Sequence, residues 1–118
     1  MDAVRILVAD DSSLIRDGLK RGLEKEGFVV ETVETPDEML ERIGQYVIYL
    51  CDGFNGRCME IITELESRGM ANRVIVFSAN TSLKDEVEER GCIFIPKPAS
   101  TAFVATTIRQ LIKRIGIQ

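Results

Sequence analysis

Val4-Arg5-Ile6-Leu7-Val8-Ala9-Asp10-Asp11-Ser12-Ser13 decides the fold. Its first six residues form an apolar run rich in branched aliphatics, the signature of a buried strand. The run stops at two adjacent carboxylates, and Ser12 or Ser13 can cap a helix that runs to about Glu26. Leu14, Ile15, Leu19 and Leu23 share one face of that helix. Gly18 and Gly22 lie on it too, where small residues allow close packing on a sheet. Gly27 is a C-terminal stop.

The same alternation continues to the end of the chain. Phe28 to Val33 reads as strand two. Thr35-Pro36-Asp37-Glu38 predicts a capping box with Pro at the first helical position, followed by the stripe Met39, Leu40, Ile43 and a stop at Gly44. Tyr46 to Cys51 reads as strand three, ending at Asp52, and Gly53-Phe54-Asn55-Gly56 is turn chemistry. Met59, Ile61, Ile62 and Leu65 mark helix three. Arg73 to Phe77 is strand four, closing on Ser78-Ala79. A short polar helix spans roughly Ser82 to Arg90, Cys92 to Ile95 is strand five, and Pro96-Lys97-Pro98 is a rigid loop. The last helix runs from about Ser100 to Ile115. Five βα units predict an α/β fold: one (βα)5 doubly wound domain over residues 1–118, with a five-stranded parallel sheet covered on both faces.

Bulk composition narrows the function. The chain has 118 residues, 45% apolar and 29% charged, with a net charge of −4. That suits one globular domain with a real core. No basic run supports nucleic-acid binding, and no apolar stretch approaches a membrane span, so a cytoplasmic location is expected. Cys51, Cys58 and Cys92 lack the spacing of a zinc site, and the chain has no His, which removes Ser-His-Asp and Cys-His catalysis.

In a parallel sheet the C-terminal strand ends share one edge, where such folds bind ligands. Delivered there are Asp10 and Asp11, Asp52, Ser78 and Lys97. Singly, each has an ordinary reading: helix cap, turn residue or surface charge. Together they suit phosphoryl transfer. A carboxylate can attack phosphorus, adjacent acids can hold Mg2+, and a hydroxyl and an ammonium can bind the remaining oxygens.

The residues Ile6-Leu7-Val8-Ala9-Asp10-Asp11-Ser12, Ser78-Ala79 and Pro96-Lys97-Pro98, in this order, resemble a response-regulator receiver domain of two-component signalling. The resemblance covers essentially the whole chain. It implies a phosphoryl acceptor at Asp52, and Mg2+ bound by Asp10, Asp11, Asp52 and the Phe54 carbonyl. Ser78 and Lys97 are implied at the phosphoryl oxygens, with a cis Lys97-Pro98 peptide. Ser78 and Phe94 are implied as switch residues, Phe94 standing three positions before Lys97. It further implies a histidine kinase or phosphotransfer protein as partner, and a helix 4–strand 5–helix 5 face that binds partners or forms a homodimer.

Two departures stand out. The loop Gly53-Phe54-Asn55-Gly56-Arg57-Cys58-Met59-Glu60 lacks the family's Met-Pro and is short, as is the stretch from Ser78 to Lys97. Matching Glu60 without a gap puts Leu50 at the acceptor position and implies a pseudo-receiver, a phosphorylation-independent interaction module. Matching strand three puts Asp52 there. The second match keeps an apolar strand ending in Asp and gives the acids and Lys97 a common purpose. A flavin carrier or an Asp-x-Asp phosphatase on the same fold lacks support, because neither a Gly-rich phosphate loop nor that motif follows strand one.

Overall fold

The computed structural model describes residues 3–116. Its strands are β1 (Arg5–Ala9), β2 (Val29–Val33), β3 (Ile48–Cys51), β4 (Val74–Ser78) and β5 (Ile93–Pro96). Its helices are α1 (Ser13–Lys25), α2 (Pro36–Glu41), α3 (Cys58–Ser67), α4 (Lys84–Glu89) and α5 (Thr101–Arg114). All strand pairs are parallel, in the order β2-β1-β3-β4-β5. The expected doubly wound five-stranded sheet is therefore present.

Burial follows the two-residue period of the strands. Ile6, Val8, Ile48, Leu50, Ile75 and Ile95 face α1 and α5, where Leu19, Leu23, Val104, Ile108 and Leu111 complete one core. Leu7, Ala9, Tyr49, Cys51, Val76 and Phe94 face α2, α3 and α4, and pack with Met39, Ile61, Ile62, Leu65 and Val87. Because β1, β3 and β4 are covered on both sides, they read as continuous apolar runs.

Local chemistry sets the helix starts. Ser12 caps α1 by accepting the Ile15 N–H at 3.3 Å, and Ser100 caps α5 by accepting from Phe103 at 3.1 Å. The Thr35 capping box is complete: Thr35 Oγ1 accepts the Glu38 N–H, and Glu38 accepts the Thr35 N–H. Gly22 sits against Thr101 of α5, so its small size serves the contact between two helices rather than packing on the sheet. Nothing crowds Gly18.

Boundaries differ from the sequence expectation where side chains or turns intervene. β3 begins at Ile48 rather than Tyr46, because the turn before it is organised by the buried Tyr49 hydroxyl. That oxygen accepts the Gly44 N–H at 2.6 Å and the Tyr46 N–H at 3.4 Å. Arg73 belongs to a 3-10 turn, Ala71–Arg73, and β4 runs on to include Ser78, paired with Pro96. The fourth helical segment is two pieces, a 3-10 turn Thr81–Leu83 and then α4. Asn80 caps the first piece by accepting the Ser82 N–H.

Candidate functional site

The sheet order reverses direction at β1, leaving a crevice above the C-terminal ends of β1 and β3, the topological switch point of this architecture. Asp10 and Asp52 stand there. The Asp10 N–H donates to Val33 O at 3.2 Å, and the Asp52 N–H donates to Ala9 O at 2.8 Å. Both backbones are thus fixed by the ladder, which gives the side chains little freedom of position.

Lys97 joins the two acids. Its ammonium donates to Asp10 Oδ2 at 2.8 Å and to Asp52 Oδ1 at 2.7 Å. Its own backbone is held by donation to Ser78 O at 3.0 Å, beside the cis Lys97-Pro98 peptide. Burial works against the Lys97 charge, but the hydrogen bonds to Asp10 and Asp52 outweigh it and hold the pKa above the ordinary lysine value. The ammonium also lies over the Phe77 ring, 5.3 Å from its centroid.

The other carboxylate oxygens are engaged by backbone. Asp10 Oδ1 accepts the Ser12 N–H at 2.9 Å, a local turn that launches α1. Asp52 Oδ2 accepts the Phe54 N–H at 3.0 Å. With only 2% of Asp10 exposed, these partners are what make its burial tolerable. Ser78 is buried against Gly53, the residue that follows Asp52, and its Oγ accepts the Asn80 N–H at 3.0 Å.

The structure does not gather all the expected metal ligands. Asp11 is exposed, and among the described residues no group of three acidic or other ligating side chains is close enough to hold an ion. The reason is local: the Ser12-to-Asp10 turn leaves Asp11 on the rim, while Lys97 neutralises the other two acids. Phe54 adopts φ +49°, Asn55 +53° and Gly56 +94°, a tight left-handed turn that few side-chain-bearing residues favour. In that turn the Phe54 carbonyl accepts the Arg57 N–H at 3.0 Å. Phe94 is buried in the core shared with α3 and α4.

Two residues were missed by the sequence reading. Arg16, which completes the first turn of α1, donates to the Asp10 carbonyl at 2.7 Å and lies 3.6 Å from Glu34. Arg57 pins the short loop from outside, pairing with Glu60 at 2.9 Å and with Asp37 at 2.8 Å. A cation one helical turn beyond a strand-end acid was the available signal for Arg16; Arg57 had none, because Asp37 is distant in sequence.

No family model matches the chain. Among curated proteins it is similar to the transcriptional regulatory protein QseB of Escherichia coli O157:H7. The two are 30% identical over 124 residues, covering 98% of this chain and 56% of the relative. It also resembles the two-component response regulator PhoP of Pseudomonas aeruginosa, 32% identical over 91 residues, covering 72% of this chain and 40% of that protein. The chain spans about half the length of such relatives. Among solved structures, full-length FixJ from B. japonicum superposes with a TM-score of 0.84 at 18% identity, covering 98% of this chain and 61% of that one, which establishes the fold. With an acid-rich switch point, a lysine bridging its two acids, and these relatives, the chain belongs to the receiver domains of response regulators.

Proposed function

We propose that this receiver accepts a phosphoryl group on Asp52 from a histidine kinase or phosphotransfer protein and, in response, alters a partner-binding face. The observation that carries the reading is Lys97 spanning Asp10 and Asp52, 2.8 and 2.7 Å away, at the mouth of the sheet. A permanent cation held on two buried-side acids suits an anion that arrives at one of them.

The chemistry is an in-line displacement. An Asp52 carboxylate oxygen forms the new bond to phosphorus as the donor's P–N bond breaks, and the electron pair leaves with the imidazole nitrogen. Lys97 then meets a phosphoryl oxygen as well as Asp10, and the Ser78 hydroxyl can donate to another. Asp10, Asp11, Asp52 and the Phe54 carbonyl would supply an all-oxygen donor set, the kind that Mg2+ takes, once Asp11 turns in from the rim. When bound, the ion would neutralise charge on the phosphoryl oxygens. Transfer adds negative charge beside Ser78 and Lys97, and so favours any arrangement of β4, β5 and α4 that offers more donors. The α4–β5–α5 face, where a partner or second copy would dock, carries a short polar α4 with only Val87 buried.

Intact-mass spectrometry with Mg2+ and acetyl phosphate tests the reading. One phosphate adduct is expected in the parent and none in Asp52→Asn. No adduct, together with no change on adding beryllofluoride and Mg2+, leaves the second reading, a phosphorylation-independent module. That alternative draws support from the exposed Asp11 and from the Phe54 carbonyl already accepting the Arg57 N–H.

A further inference from the structure

Gly53 follows the acceptor position and has φ −67° and ψ −28°, a conformation open to any residue. Its backbone does not call for glycine; its surroundings do. A Cβ at Gly53 would lie 2.7 Å from Ser78 Oγ, 3.2 Å from Ser78 Cβ and 2.8 Å from Leu83 Cδ1. Two side chains, one from the end of β4 and one from the turn after it, therefore fill the slot that a side chain at position 53 would take.

Leu83 is the unusual member of that pair. From Ala79 to Glu86 it alone is drawn inward; its neighbours on both sides are exposed. It packs against the core on the α3 side of the sheet. Apart from Leu83, the segment is held by short polar links. The Asn80 N–H donates to Ser78 Oγ at 3.0 Å, Asn80 Oδ1 accepts the Ser82 N–H at 3.2 Å, and the Leu83 N–H returns to Asn80 O at 3.2 Å. The links close a ring from Gly53 through Ser78, Asn80 and Leu83 back to Gly53.

That ring has a chemical consequence. A hydroxyl that accepts the Asn80 N–H keeps its own proton to donate. From this geometry we infer that Leu83 is a positioning residue. Seated on Gly53, it holds Asn80 against Ser78 Oγ, so that the Ser78 hydroxyl is kept as a donor beside Asp52. The inference rests on Asp52 as phosphoryl acceptor, and it adds a residue outside the group of acids, hydroxyl and lysine. Leu83 also occupies the N-cap position just before α4, so the same contact ties the acceptor loop to the helix that follows.

The test compares Leu83→Ala, Leu83→Met and Ser78→Ala, singly and combined, by the rate of adduct formation from acetyl phosphate with Mg2+. Leu83→Ala should slow the limiting rate roughly three- to tenfold with the acetyl phosphate dependence unchanged, and Leu83→Met should restore it. In the Ser78→Ala background, Leu83→Ala should add nothing, because its effect passes through Ser78. Full additivity of the two overturns the inference, as does a parental rate in Leu83→Ala. Hydrogen exchange reads the contact without phosphate: residues 79–90 should exchange at least about fivefold faster in Leu83→Ala, with the sheet unchanged. Parental exchange there overturns the inference independently of phosphorylation. A parent that takes no adduct, with faster exchange in Leu83→Ala, removes the acceptor reading and keeps the contact.

Discussion

The Lys97 ammonium lies 2.7 Å from Asp52 Oδ1 while also holding Asp10 Oδ2 at 2.8 Å, so one side chain balances two acids on neighbouring strands. Its removal leaves those acids near one another with no counter-charge. Lys97→Met keeps most of the stem packing and loses the charge. It should lower stability at pH 7 by about 3–5 kcal/mol, the range for breaking a largely buried pair, read from urea unfolding midpoints at constant slope. A loss under 0.5 kcal/mol would mean that water, rather than Lys97, balances the acids.

The same residue sets an alkaline limit. Its pKa is raised in the folded chain, so its contribution is fully present below the ordinary lysine value of 10.5 and is lost as pH climbs through the higher folded value. Tyr46, raised chiefly by burial and then by its hydrogen bond to Glu31, has the same sign. The difference between parent and Lys97→Met isolates lysine: it should stay constant from pH 7 to 10 and shrink above 10.5. A difference that persists unchanged well above that value would contradict the raised pKa.

Two glycines on α1 should respond in opposite directions. A Cβ at Gly22 would fall 2.2 Å from Thr101 Cγ2, whereas nothing lies within 4 Å of one at Gly18. Gly22→Ala must push α1 from α5 and should cost about 1–3 kcal/mol. Gly18→Ala should gain about 0.5–1 kcal/mol from helix propensity and reduced freedom of the unfolded chain. Thermal midpoints of the two variants check both signs.

That contrast also shows where sequence stops informing. Periodicity revealed the five strands and four of the helices because β1, β3 and β4 are buried on both faces and every helix but the polar α4 carries an apolar stripe. The strand-end positions of Asp10, Asp52, Ser78 and Lys97 followed from the topology. What escaped was set by contacts distant in sequence. Gly18 and Gly22 look alike until Thr101 is placed against one of them. The start of β3 depends on a tyrosine hydroxyl turning back to Gly44, and Asp11 is separated from Asp10 by a turn that only the Ser12 N–H defines.

The three thiols should be silent in the native protein. Burial raises Cys51 well above the ordinary thiol value and pushes Cys58 and Cys92 up to about 11, so the reactive thiolate is suppressed as well as shielded. At pH 8, iodoacetamide should add no label on the timescale that labels all three in urea, as counted by intact mass. Labelling of Cys92 alone in buffer would reveal local opening between α4 and β5.

Asp11 separates the structural role of the acids from their proposed ligand role. It is exposed and makes no hydrogen bond or ion pair among the described residues, so Asp11→Asn should change stability by less than about 0.5 kcal/mol without divalent ions. Asp10→Asn removes a partner of Lys97 and should cost about 1–3 kcal/mol under the same conditions. Added Mg2+ should raise the thermal midpoint of the parent by binding the folded state, and Asp11→Asn should lose that rise while keeping the parental midpoint in chelator. If Asp11→Asn kept the full Mg2+ response, Asp11 would be a rim charge only, and any ion at this mouth would be held by Asp10, Asp52 and backbone alone.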